Sequence, residues 1–171
     1  MKRFVAAALA ATVLATPAFA QDDANFTGPR VEAIVGYDVV GIPGVSDPDG
    51  VAYGVGLGYD FAAGGMILGL EAEIADSSTK IGDLVSDRDI YVGARVGTVI
   101  GQSLLYAKAG YTNARFEQDG FGGANGDGFR LGAGLEYALG NNMFLKGEYR
   151  YSNYEGDISR NQVVAGFGFR F

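Results

Sequence analysis

Eight stretches of this chain alternate with a period of two, and in each the two sides differ in kind. Residues 53–61, YGVGLGYDF, show it plainly: Tyr53, Val55, Leu57, Tyr59 and Phe61 share one face, and Gly54, Gly56, Gly58 and Asp60 share the other. Side chains of a strand point alternately to opposite faces, so such a stretch predicts a strand with one bulky face and one nearly empty face. The same alternation returns in RVEAIVGYD (30–38), ILGLEAEIA (67–75), DIYVGARVGT (89–98) and LLYAKAGYT (104–112). It continues in GFRLGAGLEYAL (128–139), FLKGEYRYS (144–152) and QVVAGFGFRF (162–171). No apolar face in these segments carries a charge, whereas charges of both signs stand with glycine on the other face. A phosphate-binding glycine loop is excluded, because GVGLG has the wrong spacing, opens no helix and lacks a Lys-Ser/Thr pair.

The connections alternate in length. AAGG (62–65), IGQS (100–103) and GNN (140–142) are tight Gly/Asn turns, while 39–50, 76–88, 113–127 and 153–161 are long and rich in Asp, Gly, Ser and Pro. An up-and-down antiparallel barrel in an outer membrane has this rhythm, with tight turns toward the periplasm and longer loops outside. Both termini are then expected on the periplasmic side. The segments also have the roughly 9–11 residues that a tilted strand needs to cross a bilayer.

Residues 1–20, MKRFVAAALAATVLATPAFA, have the three parts of an export signal. Lys2 and Arg3 precede an apolar run, and Ala18-Phe19-Ala20 supplies small residues around a cleavage site. The expected organisation is a cleaved signal over 1–20, a short tail over 21–27 and a barrel over 28–171. No later run is long and apolar enough for a membrane helix. The chain has no Cys and no His, which removes disulfides, thiolate metal sites and any Ser–His or Cys–His nucleophile. Its net charge of −7 argues against nucleic acid as a partner. No metal site, cofactor site or catalytic group is expected.

Period two alone does not say which face is inside. A soluble ligand-binding barrel would bury the apolar face. Three features favour the opposite arrangement. The charged face is half glycine, which makes room for Arg, Lys and Glu inside a narrow eight-stranded lumen. Aromatics stand near the ends of the apolar stripes: Tyr37, Tyr53, Tyr111, Phe129 and Tyr151 in one ring, Phe61, Tyr137, Phe144 and Phe171 in the other. Such girdles mark lipid–water boundaries. The export signal, finally, sends the chain to the envelope.

The expected interior is therefore ionic. Its cations are Arg30, Arg95, Lys108, Arg130, Lys146, Arg150 and Arg170, and its anions are Glu32, Asp60, Glu71, Glu73, Glu136 and Glu148. Near balance predicts a closed structural network rather than a lining of one sign, since buried charges must be paired. A charged constriction selecting ions is the alternative use of the same residues.

The export signal, the eight alternating segments and the terminal GFGFRF together resemble the outer-membrane β-barrel family of small opacity-type, OmpA-like and porin-like proteins. LLYAKAGYTNARF and FLKGEYRYSNY are similar to two strands typical of that family. Gly166, Phe169 and Phe171 are similar to the terminal signal read by the barrel-assembly machinery; Val164 stands where that signal prefers a polar residue. The resemblance implies an all-β, eight-stranded transmembrane barrel in the bacterial outer membrane. It also implies roles in envelope integrity, adhesion or immune contact through four acidic surface loops. The partners implied are outer-membrane lipid including lipopolysaccharide, the assembly machinery, and a host or surface ligand, with the barrel itself monomeric. A narrow ion or small-solute pore, a soluble periplasmic ligand-binding barrel and a lipid-modifying enzyme are the other functions weighed.

The facing assignment can be tested at one position. Leu70→Arg is expected to destabilise the barrel in vesicles by about 2–4 kcal/mol near mid-membrane. Equilibrium unfolding in lipid measures it, and an unchanged stability would reverse the facing.

Overall fold

The computed structural model describes residues 26–41, 49–78, 80–81, 84–118, 121–154 and 158–171. The strands are β1 (Gly28–Gly41), β2 (Asp49–Ala63), β3 (Met66–Ser77), β4 (Lys80–Ile81), β5 (Leu84–Ile100), β6 (Ser103–Gln118), β7 (Phe121–Gly140), β8 (Met143–Tyr154) and β9 (Ile158–Arg170). Every pairing is antiparallel, in the order β3-β2-β1-β9-β8-β7-β6-β5, and a further β3–β5 pairing closes the ring. Eight long strands thus form a closed barrel; β4 is a two-residue strand paired only with β5. First and last strands meet along Arg30↔Arg170 to Gly41↔Ser159, so the barrel has no free edge.

Two-residue turns join β2 to β3, β5 to β6 and β7 to β8. Gly64 and Gly65 have φ of 59° and 83°, and Asn141 and Asn142 have 51° and 62°. Positive φ at both central positions is the type I′ hairpin, whose twist matches that of the strands. Both described chain ends lie at the same end of the barrel as these turns, with Gly28 opposite Asp60 and the N–H of Phe171 donating to the carbonyl of Pro29. We call this the turn end, and its opposite the loop end.

Burial alternates residue by residue, with the polarity of a water-soluble protein inverted. Leu57 and Leu70 are 62% and 64% exposed, while Asp60 is 1% and Arg30 2% exposed. The glycines of the second stretch lie against the side chains they accommodate. Gly58 stands opposite Arg30, and a Cβ there would be 2.7 Å from the guanidinium carbon. Glu32 lies between Gly56 and Gly168 on its two neighbouring strands.

Two expectations need correction. The segments read as long connections are mostly strand: β1 runs to Gly41, β5 begins at Leu84, β6 and β7 are separated only by 119–120, and β8 runs to Tyr154. The backbone ladder needs no apolar side chains, so pairing continues where the hydropathy alternation stops. Asp49, Asp76, Asp87, Glu117 and Asp127 therefore sit in strands, whereas Asp47, Asp83, Asp119, Glu155 and Asp157 lie outside the described residues. Phe144 does not join an outer ring. It shares the parity of Lys146, points inward and is 2% exposed.

Gly58→Ala is expected to destabilise the barrel by about 1–3 kcal/mol, the usual range for overpacking, because Arg30 is held on several sides and cannot yield. Gly147 faces outward and a Cβ there meets nothing within 4 Å. Gly147→Ala should change stability by less than about 0.5 kcal/mol. Urea unfolding in micelles compares the two.

Candidate functional site

The lumen is occupied by charged side chains, all delivered by strand parity. All thirteen residues of the expected network are buried: Arg30, Glu32, Asp60, Glu71, Glu73, Arg95, Lys108, Arg130, Glu136, Lys146, Glu148, Arg150 and Arg170. Three further charges, Asp38, Asp89 and Arg160, are buried with them. Among the described residues this makes eight buried cations and eight buried anions.

They are arranged in three tiers. At the turn end, Asp60 of β2 receives a two-pronged bond from Arg95 of β5, Nε to Oδ1 at 2.9 Å and Nη2 to Oδ2 at 2.7 Å. Arg170 of β9 donates to the same carboxylate at 2.7 Å, and Arg30 of β1 at 3.1 Å. Glu136 of β7 accepts from Arg95 at 3.0 Å and from Arg170 at 2.6 Å. This tier has one cation too many. The middle tier has one anion too many: Glu32, Glu71, Glu73 and Glu148 face Lys108, Lys146 and Arg150. Lys108 contacts Glu71, Glu73 and Glu148 at 2.7, 2.8 and 3.1 Å, and Lys146 contacts Glu32 at 2.7 Å. Arg150 pairs with Glu73 at 2.9 Å and with Glu148. Arg30 joins the two tiers through Glu32, at 3.1 Å, and Glu71, so each imbalance offsets the other.

The loop-end tier holds Asp38 and Asp89 against Arg130 and Arg160. Thr112 donates to Asp89 at 2.7 Å, and Arg130 donates to the hydroxyl of Ser152 at 2.8 Å. Aromatic faces cover cations where carboxylates do not. Lys108 Nζ lies 4.4 Å from the Tyr91 ring centroid, and the guanidinium of Arg95 lies 5.0 Å from that of Tyr106. The Tyr106 hydroxyl donates to Glu148 at 2.6 Å.

Of this outermost tier the sequence names only Arg130; Asp38, Asp89 and Arg160 stand outside the expected network. Arg160 fell in a stretch read as loop, and Asp89 opened a segment without being followed inward. Strand parity was the available signal: Asp89 is two residues from inward Tyr91, and Asp38 two from inward Gly36. Gly166 faces the lumen opposite Lys146, and Phe169 and Phe171 face outward. Ala18 and Ala20 lie outside the described residues.

The exterior has its own order. At the loop-end border of the apolar band, outward tyrosines direct their hydroxyls to polar groups on neighbouring strands. Tyr37 donates to Asp49 at 2.6 Å, Tyr53 to Asp76 at 3.1 Å, Tyr111 to Asp127 at 2.5 Å and Tyr149 to Asn161 at 2.7 Å. At the other border Tyr137 donates to Gln102 of a turn at 2.9 Å. An aromatic body in the apolar band with its hydroxyl at the polar edge is the arrangement of a membrane interface.

A sequence profile for a family described as "Outer membrane protein beta-barrel domain" matches residues 6–171. The chain belongs to that family. This outer-membrane barrel is 26% identical, over 72% of its length and 65% of the relative's, to a protein named "25 kDa outer-membrane immunogenic protein" from Brucella ovis. The barrel therefore spans just under two thirds of that relative. It is 30% identical, over 70% of its length and 67% of the relative's, to a "22 kDa outer membrane protein" of Rhizobium leguminosarum bv. viciae. Its fold is similar to that of Neisserial surface protein A, with a TM-score of 0.64 at 16% identity over 85% of this chain and 98% of that one. It is also similar to Ail, the attachment invasion locus protein of Yersinia pestis, with a TM-score of 0.60 at 21% identity over 85% and 99% of the two chains. The protein is thus a bacterial outer-membrane barrel, and its apolar exterior faces acyl chains.

Within that exterior, the ionic core stands or falls by pairing. Asp60→Asn leaves Arg30, Arg95 and Arg170 without their common counter-charge. Stability should fall by about 3–5 kcal/mol, the cost of removing one partner of a buried pair. The urea midpoint of folded barrel in detergent, followed on a heat-modifiability gel, reads the change.

Proposed function

We propose that this barrel is a non-enzymatic structural and surface-display protein of the outer membrane. Its lumen is closed by ion pairs, and its role lies in envelope integrity and in contact made by acidic segments at the loop end. The observation that carries the reading is the balanced interior. Among the described residues eight buried cations and eight buried anions cancel, so the net charge of the chain comes from residues other than these sixteen. With the export signal removed, that charge is −9, because Lys2 and Arg3 leave a chain of −7. Lys80, Arg88 and Arg115 are the outlying cations of the mature barrel, against Asp47, Asp49, Asp76, Asp83, Asp87, Glu117, Asp119, Asp127, Glu155 and Asp157 in the loop-end segments. The two-residue turns, Gly64-Gly65, Gly101-Gln102 and Asn141-Asn142, carry no charge.

Several facts support this reading over the others. A conducting pore needs a path with mobile counter-ions, and here the interior side chains bond one another across the lumen. A lipid-modifying enzyme of the Ser–His type has no His to use. A soluble ligand-binding barrel has no reason to turn its leucines and tyrosines outward. Short turns on one side and longer, acidic segments on the other support a turn end toward the periplasm and a loop end outside. The relative named immunogenic and the neighbour named for attachment and invasion are in keeping with a surface-contact role, which for this chain is our reading.

Trypsin added to intact cells is expected to cut at Lys80 or Arg88 and leave the turn end intact. Cutting only after the membrane is opened would reverse the orientation. In planar bilayers the purified barrel should show no steady single-channel openings; steady openings would replace the closed-lumen reading with the pore.

A further inference from the structure

Sequence alternation begins only after the short tail expected over 21–27, and of the two described residues ahead of β1, Phe26 lies inside the barrel. Phe26 is 3% exposed. Its ring joins Ile67, Leu104 and Tyr106 in a buried apolar cluster at the turn end. Its carbonyl accepts a hydrogen bond of 2.9 Å from Nη1 of Arg170, the same nitrogen that binds Asp60 at 2.7 Å. The Arg170 guanidinium carbon also lies 5.9 Å from the Phe26 ring centroid. Phe26 is thus bonded by its backbone, packed by its ring and tied to the first ionic tier.

The chain reaches this position through Gly28. Its φ is 103°, and a Cβ there would fall 2.3 Å from the carbonyl oxygen of Phe171. Only glycine combines that backbone with that clearance. One residue later the Pro29 carbonyl takes the N–H of Phe171 at 2.9 Å, which fixes where the segment leaves the sheet. The turn at Gly28 sends Phe26 into the mouth of the barrel instead of away from it.

We propose that Phe26 and Gly28 form a built-in cork: the glycine turn directs Phe26 back toward the barrel, and its ring seals the turn end of the lumen. The cork keeps bulk water off the tier made by Asp60, Glu136 and Arg170. Ion pairs open to solvent are screened, whereas pairs shielded from it keep their strength. The apolar cluster and the ionic tier therefore support each other, and the first residues ahead of β1 act as a lid on the last residues of β9.

The chain contains no Trp and no Cys, so single probes are unambiguous. Phe26→Trp, folded in vesicles, should show blue-shifted emission, several-fold weaker quenching by acrylamide than free tryptophan, and no quenching by brominated acyl chains. Strong acrylamide quenching would mean a tail trailing in water, and quenching by the brominated chains a residue lying on lipid; either result overturns the cork. A second measurement uses Leu104→Cys, beneath the Phe26 ring, in folded barrel verified by heat-modifiability. A charged maleimide should label it about tenfold faster or more when Phe26→Ala or Gly28→Val is added, as expected where local protection is lost. Equal rates with and without those changes would overturn the proposal. Should the double variants fail to fold, the Phe26→Trp measurement decides it alone.

Discussion

The sixteen buried charges among the described residues share a lumen a few side chains wide, and they can persist there only if each finds its opposite. An uncompensated charge in such surroundings costs several kcal/mol, a large part of the net stability of a typical domain. Pairing therefore constrains everything around it. A register slip of one residue would carry Arg95 or Glu71 to the lipid face and bring a leucine or valine inside. The eight strands must keep both their parity and their relative heights for Asp60 to meet three guanidiniums from β1, β5 and β9 at once. The surplus cation of one tier and the surplus anion of the next, joined by Arg30, show that balance is kept across the lumen as a whole rather than pair by pair.

Glycine is the second half of that constraint. A long charged side chain lying across a narrow barrel needs an empty position beside it. The register supplies one again and again: Gly58 beside Arg30, Gly132 beside Lys108, Gly110 beside Arg130, Gly166 beside Lys146. The glycine content that would weaken an ordinary soluble strand is here the space into which the ionic core fits.

Much of this could be read from the chain because one physical rule acts on both faces. Lipid excludes charge from every outward position of the band, and parity then assigns the inward ones. That rule places Arg30 through Arg170 once the glycine-rich charged face, the aromatic ends and the export signal say which face is inside. It lost its grip where lipid ends. Beyond Asp76 or Asn113 apolar and polar residues no longer alternate cleanly between the faces, although the hydrogen-bond ladder continues. Arg160 and the true lengths of β6, β7 and β8 were invisible for that reason. Phe144 and Phe26 were missed differently. An aromatic residue near a strand end suggests a girdle, but at the turn end the mouth of the lumen also needs apolar closure, and parity gives Phe144 to the lumen. Phe26 precedes the alternating pattern altogether. Its signal was the glycine two residues on, which gains meaning only when the last carbonyl of the chain is seen beside it.

The same division explains why the fold was more legible than the role. A barrel of this width spends its inward side chains on mutual neutralisation and its outward ones on lipid, leaving neither set free to recognise anything. Whatever distinguishes one such protein from another must be carried beyond the band, where the side chains answer to water. The two-residue turns at the other end carry no charge. The tyrosine hydroxyls bonded to Asp49, Asp76 and Asp127 mark the height at which one regime gives way to the other. Below that ring each residue is dictated by the need to stand in a membrane; above it the strands continue as a paired rim. Such a rim sets Asp49, Asp76 and Asp127 at a fixed height and spacing that free loops would lack. The length of the strands past the tyrosine ring therefore helps fix where these three carboxylates stand.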